Sequence, residues 1–169
     1  MKMIILEKAT AEEAAICYEI IDSGRKFQRQ QGFVQWADDY PSPETIRNDI
    51  LNQKGYILRI DGKIAGYMYI DFDGEPAYEN IRGEWRSYES YAVVHRMAFS
   101  PEYRGTGLSS AAWELIEKLC LSRDIHYIRA DTDFKNKRMQ HVLEKNGFKK
   151  CGIIFFVDSE EFAYDKLLK

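Results

Sequence analysis

One stretch constrains this chain more than any other: residues 91–119, YAVVHRMAFSPEYRGTGLSSAAWELIEKL. Its first nine residues are apolar, β-branched or aromatic apart from His95 and Arg96, the pattern of a buried strand. Ser100-Pro101-Glu102 ends that strand, because proline offers no ladder N–H and glutamate favours water. Arg104-Gly105-Thr106-Gly107 follows, and then Leu108, Ala111, Ala112, Leu115 and Leu119 recur at helical spacing. The unit is strand, glycine-bearing loop, helix, with the helix starting near Gly107. Glycine lets backbone amides approach a ligand closely. The first amides of a helix have no intrahelical partner, and the helix dipole adds partial positive charge there. Such a turn suits a phosphate or pyrophosphate, although a bare Gly-x-Gly before a helix also serves as a turn with no ligand.

Two nucleotide-binding readings compete for the loop. A P-loop requires Lys-Ser/Thr after its last glycine, and here Leu108-Ser109 follow Gly107, which excludes it. A dinucleotide fingerprint fits better, as Gly105-x-Gly107-x-x-Ser110 with Asp131 as its ribose ligand. Against that fingerprint, the loop from Ser100 to Thr106 is long, and the residues before it do not read as βαβ.

Ordering the rest of the chain around this unit gives one domain over residues 1–169, without repeat, low-complexity tract or linker. Residues 3–7 read as a strand, and Thr10-x-x-Glu13 as a capping box. Ala14, Cys17, Tyr18 and Ile21 carry the helix it opens, which frays near Gly24 or continues to Gln30. Residues 32–43 form an aromatic loop, which ends where Ser42-Pro43 caps a second helix to about Gln53. Residues 56–60 and 63–72 are strands joined at Asp61-Gly62, a hairpin signal. Residues 73–86 read as loop and 88–99 as the strand before the glycines. After the third helix come a strand over 125–130, a helix over 136–146 closed by Asn146-Gly147, and strands over 148–157 and 162–168.

Charge and cysteine content narrow the partners. There are 24 basic and 27 acidic residues, a net charge of −3, which leaves no overall nucleic-acid footprint. Six Lys/Arg against one acid lie between Phe134 and Lys150, the pattern of a solvated helix face. Cys17, Cys120 and Cys151 have neither metal spacing nor an even number for disulfides, so they read as small buried residues of a reducing compartment. No apolar run approaches the ~20 residues of a membrane span, and the N-terminal apolar run is too short for a signal peptide. The expectation is a soluble, cytoplasmic protein.

The segment Arg104-x-x-Gly107-x-Ser109 resembles motif A of the GNAT superfamily of acyl-CoA N-acyltransferases, Arg/Gln-x-x-Gly-x-Gly/Ala, with serine in the last place. Asn136, followed by Gly147-Phe148, looks like that family's motif B, and the order of elements over nearly the whole chain is the family's order. The resemblance implies an α/β (α+β) fold: one mixed, mostly antiparallel, twisted sheet of about seven strands with about four flanking helices in three layers. In it the strand over 88–99 splays from the strand over 125–130. It also implies acetyl transfer from acetyl-CoA to an amine of a small molecule or peptide, by direct attack in a ternary complex. The pantetheine would run along the main chain of Met97, Ala98 and Phe99. The pyrophosphate would lie on Arg104, Gly105, Thr106, Gly107, Leu108, Ser109 and Ser110, and Asn136 would also meet the cofactor.

The chemistry needs a neutral amine, and an alkylammonium with a pKa of about 10.4 is almost wholly protonated at neutral pH. His95 is the candidate base, placed by strand alternation on the side of Met97, with Glu89 and Tyr91 as alternatives and a buried structural histidine as the competing reading. His126 and His141 read as structural or exposed. Many relatives carry a tyrosine as general acid four residues before the motif B glycine, where this chain has Leu143; Tyr127 or Tyr164 could replace it. Trp36, Tyr40, Tyr69, Tyr78 and Trp85 are candidates for an acceptor pocket, since aromatic faces attract ammonium groups, and core packing is the alternative for each. No metal is expected, and a homodimer is left open. A non-catalytic acetyl-CoA-binding module and an NAD(P)-binding oxidoreductase are the other functions consistent with these residues.

Overall fold

The computed structural model describes residues 2–169. Strand β1 (Ile4–Lys8) runs into the capping box, where the Glu13 carboxylate accepts from the Thr10 amide at 2.9 Å. This satisfies a donor that the helix start would otherwise strand. One 3₁₀ turn then passes into α1 (Ala14–Gln30), the longer of the two expected extents. Helix α2 (Pro43–Leu51) opens with the Ser42 hydroxyl accepting from the Thr45 amide at 3.1 Å, and Pro43 occupies a first-turn position where its missing N–H costs nothing. Strands β2 (Gly55–Ile60) and β3 (Lys63–Asp71) meet at Asp61-Gly62, with φ of 48° and 85°, the left-handed pair that a two-residue hairpin needs.

The remaining elements are β4 (Arg82–Gly83), β5 (Ala92–Phe99), α3 (Leu108–Ser122), β6 (Tyr127–Asp133), α4 (Lys137–Lys145), β7 (Lys149–Phe156) and β8 (Ser159–Leu167). They complete, among the described residues, a mixed, mostly antiparallel sheet in the order β1-β2-β3-β5-β6-β8-β7-β4, with four α-helices. The chain forms two units. The first comprises the residues up to Ile70 with His95–Leu115, and the second comprises Asp71–Val94 with Ile116–Lys169. In the first, β1, β2 and β3 pair antiparallel, and Cys17, Ile21, Ile46, Ile57 and Tyr67 lie at 0% exposure in its core. In the second, β5 and β6 run parallel through Ala92↔Ile128 and Val93↔Arg129, and β8, β7 and β4 continue antiparallel. Its core joins Tyr78, Trp85, Val93, Ile154 and Ala163.

The sheet has eight strands where about seven were expected. The additional one, β4, is two residues long and lies in the stretch 73–86 that reads as loop. Its existence depends on Gly83 facing Gly152 on β7. A Cβ on Gly83 would run into the Cys151 carbonyl oxygen and one on Gly152 into that of Arg82, so only two glycines let these backbones meet. Strand β5 begins at Ala92 rather than 88, with Tyr88 and Glu89 left exposed. The final hairpin turns at Val157-Asp158, with φ of 47° and 60°, so β8 starts at Ser159 instead of 162. Nothing in a Val-Asp pair announces such a turn. Cys17 and Cys120 are fully buried, and burial pushes both thiols up to about 12, in keeping with inert packing groups.

Candidate functional site

The glycine loop belongs to the first unit and is shaped by short bonds of its own. Pro101–Tyr103 makes a 3₁₀ turn, the Arg104 amide donates to the Pro101 carbonyl at 3.3 Å, and the Thr106 hydroxyl donates to the Tyr103 carbonyl at 2.5 Å. Gly105 and Gly107 hold φ of +76° and +82°, and a Cβ built on either meets nothing within 4 Å. These positions are glycine for their left-handed backbone, and the space above them is open. The first helical hydrogen bonds of α3 run from the Ser110 and Ala111 amides to the Gly107 carbonyl, at 3.2 and 3.4 Å. The amides of Leu108 and Ser109 therefore precede the helical ladder and sit at the positive end of its dipole.

Arg104 plays a different part from the amides around it. Its guanidinium donates to the Ser23 carbonyl at 3.0 Å and hydroxyl at 3.3 Å, and lies 4.2 Å from the centre of the Phe27 ring. The side chain thus ties the loop to α1, and its own amide is already spent on Pro101.

Strand β5 approaches β3 closely at Gly66, where a Cβ would come within 2.8 Å of the Phe99 ring. Before that point its alternation breaks. Arg96 adopts φ of +53°, rare for a side chain of its size, so residues on either side of it do not follow a simple period of two. The inference that His95 lies on Met97's side of the strand rests on that period, and the structure removes its basis. His95 is buried and stacks on Tyr69, with ring centres 5.7 Å apart.

Arg96 is gripped from three sides. Asp49 of α2 accepts from its Nη2 at 2.7 Å and its Nε at 3.0 Å, the Tyr40 hydroxyl accepts from Nη1 at 2.6 Å, and the Tyr69 ring lies 4.3 Å beneath the guanidinium. Burial lowers the guanidinium's hold on its proton, and the Asp49 carboxylate more than restores it. The Tyr67 hydroxyl also donates to Asp49, at 2.7 Å, and burial together with that carboxylate pushes this phenol far above its ordinary value. Sequence reasoning missed this cluster. The available signal was a carboxylate at Asp49 on the buried face of α2, between Ile46 and Ile50, with an arginine inside an apolar strand to match it.

Of the aromatic candidates in the first unit, Trp36 is core, packed against Gly24, with its backbone amide donating to the Gln28 side-chain oxygen at 3.1 Å. Tyr40 and Tyr69 are half-buried and converge on Arg96. A groove of about 500 Å³ runs along α1, lined by Ile16, Ile20, Ser23, Ile64 and Pro101 among others. It touches the start of the loop and neither Gly105 nor Gly107, and its two cationic walls are paired, Arg59 with Glu13 at 2.6 Å and Lys63 with Glu102 at 2.7 Å.

The second unit holds the other candidates. Tyr78 and Trp85 are buried core residues, the Trp85 indole donating to the Tyr78 carbonyl at 2.8 Å. The Tyr91 hydroxyl accepts from the Glu75 amide at 3.1 Å, and its ring lies 4.1 Å from the buried Arg129 guanidinium. Glu89 is exposed and accepts from the Ser87 hydroxyl at 2.7 Å. Asn136 caps α4, its Oδ1 accepting from the Met139 amide at 3.0 Å. Leu143 is buried, so no hydroxyl stands at its place. Tyr127 donates to Asp165 at 2.6 Å, and burial pushes the Tyr164 phenol up to about 12. His141 is exposed and His126 bonds Asp124 at 3.0 Å. Among the described residues no cluster of three metal-ligating side chains occurs, and no helix is long and apolar enough to cross a membrane.

The model of the acetyltransferase (GNAT) family matches residues 21–148. The structure of a GNAT-family acetyltransferase from Streptococcus agalactiae 2603 is 30% identical, covering 98% of this chain and 96% of that one, with a TM-score of 0.89. A GNAT-family acetyltransferase from Listeria monocytogenes 4b F2365 superposes at a TM-score of 0.77, with 19% identity over 98% and 95% of the two chains. The aminoglycoside acetyltransferase AAC(6')-Ib, solved with coenzyme A and kanamycin, gives 0.71 with 18% identity over 98% and 95%. The last two likenesses speak to fold alone. Comparison with curated protein sequences found no match.

Proposed function

We propose, from the premise that this chain belongs to the acetyltransferase (GNAT) family, that it moves an acetyl group from acetyl-CoA to a primary amine of a small molecule or peptide by direct attack in a ternary complex. The observation that carries this reading is the open, left-handed turn at Gly105 and Gly107 ahead of α3. Its exposed backbone fits a diphosphate held by the amides of Gly105 through Ser109, with Ser110 behind them and Arg104 bracing the loop from α1. The backbone of Met97, Ala98 and Phe99 fits the role of a strand edge for an extended pantetheine. Asn136, in the other unit, is assigned to the cofactor on its sequence motif. Acetyl-CoA, when bound, supplies the acetyl group as an activated thioester.

The residues of the chain must supply a proton acceptor for the ammonium. His95 is the proposed base; its ring is fixed by stacking on Tyr69, an orientation that suits a group with one task. Glu89 and Tyr91 are second choices, since one is exposed and the other already accepts a hydrogen bond. Leu143 offers no proton to the leaving sulfur and Tyr127 is committed to Asp165, so we propose that the thiolate departs without a dedicated acid. A thiol is acidic enough for this. Tyr40 and Tyr69, half-buried beside Arg96, are the proposed acceptor-facing rings of the first unit; Trp36, Tyr78 and Trp85 are core.

Leu143 favours one second reading, a module that binds acetyl-CoA without turning it over. Release of free thiol from acetyl-CoA across a panel of primary amines separates the two. Turnover with any amine supports the enzyme, and binding of acetyl-CoA without turnover on the whole panel favours the module. The NAD(P) alternative loses its structural basis, because a dinucleotide fold wants a parallel doubly wound sheet and here β1–β2, β2–β3, β6–β8, β8–β7 and β7–β4 all pair antiparallel.

A further inference from the structure

The groove along α1 lies within the first unit, and the proposed reaction makes no use of it. Its walls bring Ile16 and Ile20, one turn apart on α1, together with Ile64 of β3 and Pro101. Ile20 is buried and Ile64 half-buried, but Ile16 is 47% exposed, so the groove shows water an aliphatic surface. Its volume of about 500 Å³ falls inside the range of roughly 300–1,000 Å³ found for small-molecule sites.

The charges on its walls decide what it suits. Arg59 is shared by two carboxylates, Glu7 at 2.8 Å and Glu13 at 2.6 Å, and Lys63 is held by Glu102 at 2.7 Å. The Ser23 hydroxyl is also spent, donating to the Ile20 carbonyl at 2.7 Å and accepting from Arg104 at 3.3 Å. Glu19 differs from all of these. It lines the groove, it is exposed, and it has neither an ion pair nor a hydrogen bond among the described residues. It stands three residues from Ile16, next to it on the helix surface. An anion entering the groove would meet cations that are already neutralised, whereas a cation would meet an open carboxylate beside aliphatic surface. That pairing complements an alkyl chain that ends in an ammonium.

We propose that this groove is a ligand site for a small aliphatic monoamine, its chain on Ile16, Ile20 and Ile64 and its ammonium on Glu19. The site stands whether or not the chain transfers acetyl groups, since none of its lining residues belongs to the proposed reaction. Titrating n-hexylamine into the full-length protein, with its isoleucine methyl groups followed by NMR, tests it. The signals of Ile16, Ile20 and Ile64 should shift along one saturable curve, while those of Ile46 and Ile57, both at 0% exposure in the core, hold still. n-Butylamine, two methylenes shorter, should bind about tenfold more weakly. 1-Hexanol and hexanoate, which keep the chain and lose the positive charge, should both bind more weakly than n-hexylamine. Glu19→Gln should weaken n-hexylamine about threefold to fivefold, the scale of an exposed ion pair, and Ile16→Ala about fivefold; both side chains are exposed, so the fold tolerates either change. Shifts confined to residues outside the groove would place the amine at the acceptor site alone and overturn the proposal. Unchanged affinity in both variants, or hexanoate or 1-hexanol binding as tightly as n-hexylamine, would overturn it too.

Discussion

Removing the Asp49 side chain should cost this protein a large share of its stability. The Arg96 side chain is 10% exposed and that of Asp49 6%, so Asp49→Ala leaves a nearly buried guanidinium with only the Tyr40 hydroxyl and the Tyr69 ring. Breaking such a pair from one side costs about 3–5 kcal/mol. The Tyr67 hydroxyl also loses its acceptor, a deficit of about 1–3 kcal/mol that overlaps with the first because both arise at one carboxylate. The expected loss is about 4 kcal/mol, out of the roughly 5–15 kcal/mol that holds a typical domain together. Urea unfolding at neutral pH of wild type, Asp49→Ala, Arg96→Met and the double variant gives the full cycle. The double variant should be less destabilised than the sum of the singles, with a coupling of about 2–3 kcal/mol that survives high salt, because a desolvated pair is poorly screened. A loss below about 1 kcal/mol for Asp49→Ala, or additive singles, would refute the reasoning and make this an ordinary surface pair.

Glu161→Gln should stabilise the fold in a pH-dependent way. Its folded-state value of about 9 stands above the ordinary 4.5, so between those two values the unfolded chain has lost the proton that the folded one keeps. Stability attached to the wild-type carboxyl is therefore complete below about pH 4.5 and declines as pH rises toward 9. Thermal unfolding of the variant should match wild type near pH 4.5 and gain on the order of a few kcal/mol by pH 8; a gain that is flat with pH would contradict the shift. His95→Gln should lower kcat roughly 10²-fold with CoA affinity kept, and the acidic limb of the pH–rate profile should vanish. An unaltered profile would make His95 a packing residue.

How much of this was legible in sequence depends on how local the cause was. Thr10-Glu13, Ser42-Pro43 and Asp61-Gly62 each carry their signal within four residues, and each forms what it announces. The glycine turn before α3 is local in the same sense, and the helix begins one residue after Gly107. The misses are tertiary. Strand β4 exists because Gly83 meets Gly152 across 69 positions of chain, and no window shows that. The Val157-Asp158 turn is imposed by the register of β7 on β8 and not by its own residues. Arg96 reads as one more position of an apolar strand until Asp49, on a distant helix, draws it out of the period. That last effect reaches the candidate site, since it removes the alternation from which the side of His95 was judged.

The central claim is that the exposed backbone at Gly105 and Gly107 grips the diphosphate of coenzyme A. Calorimetric titration of CoA into wild type, Gly107→Ala and Gly32→Ala tests it most directly. Gly32 is a matched control, because it too has a left-handed φ, +90°, with nothing within 4 Å of a Cβ. Both substitutions should therefore cost a similar strain, about 1–2 kcal/mol of stability. CoA affinity should fall at least about tenfold, or 1.4 kcal/mol, in Gly107→Ala alone. Equal CoA affinity in all three proteins would contradict the account.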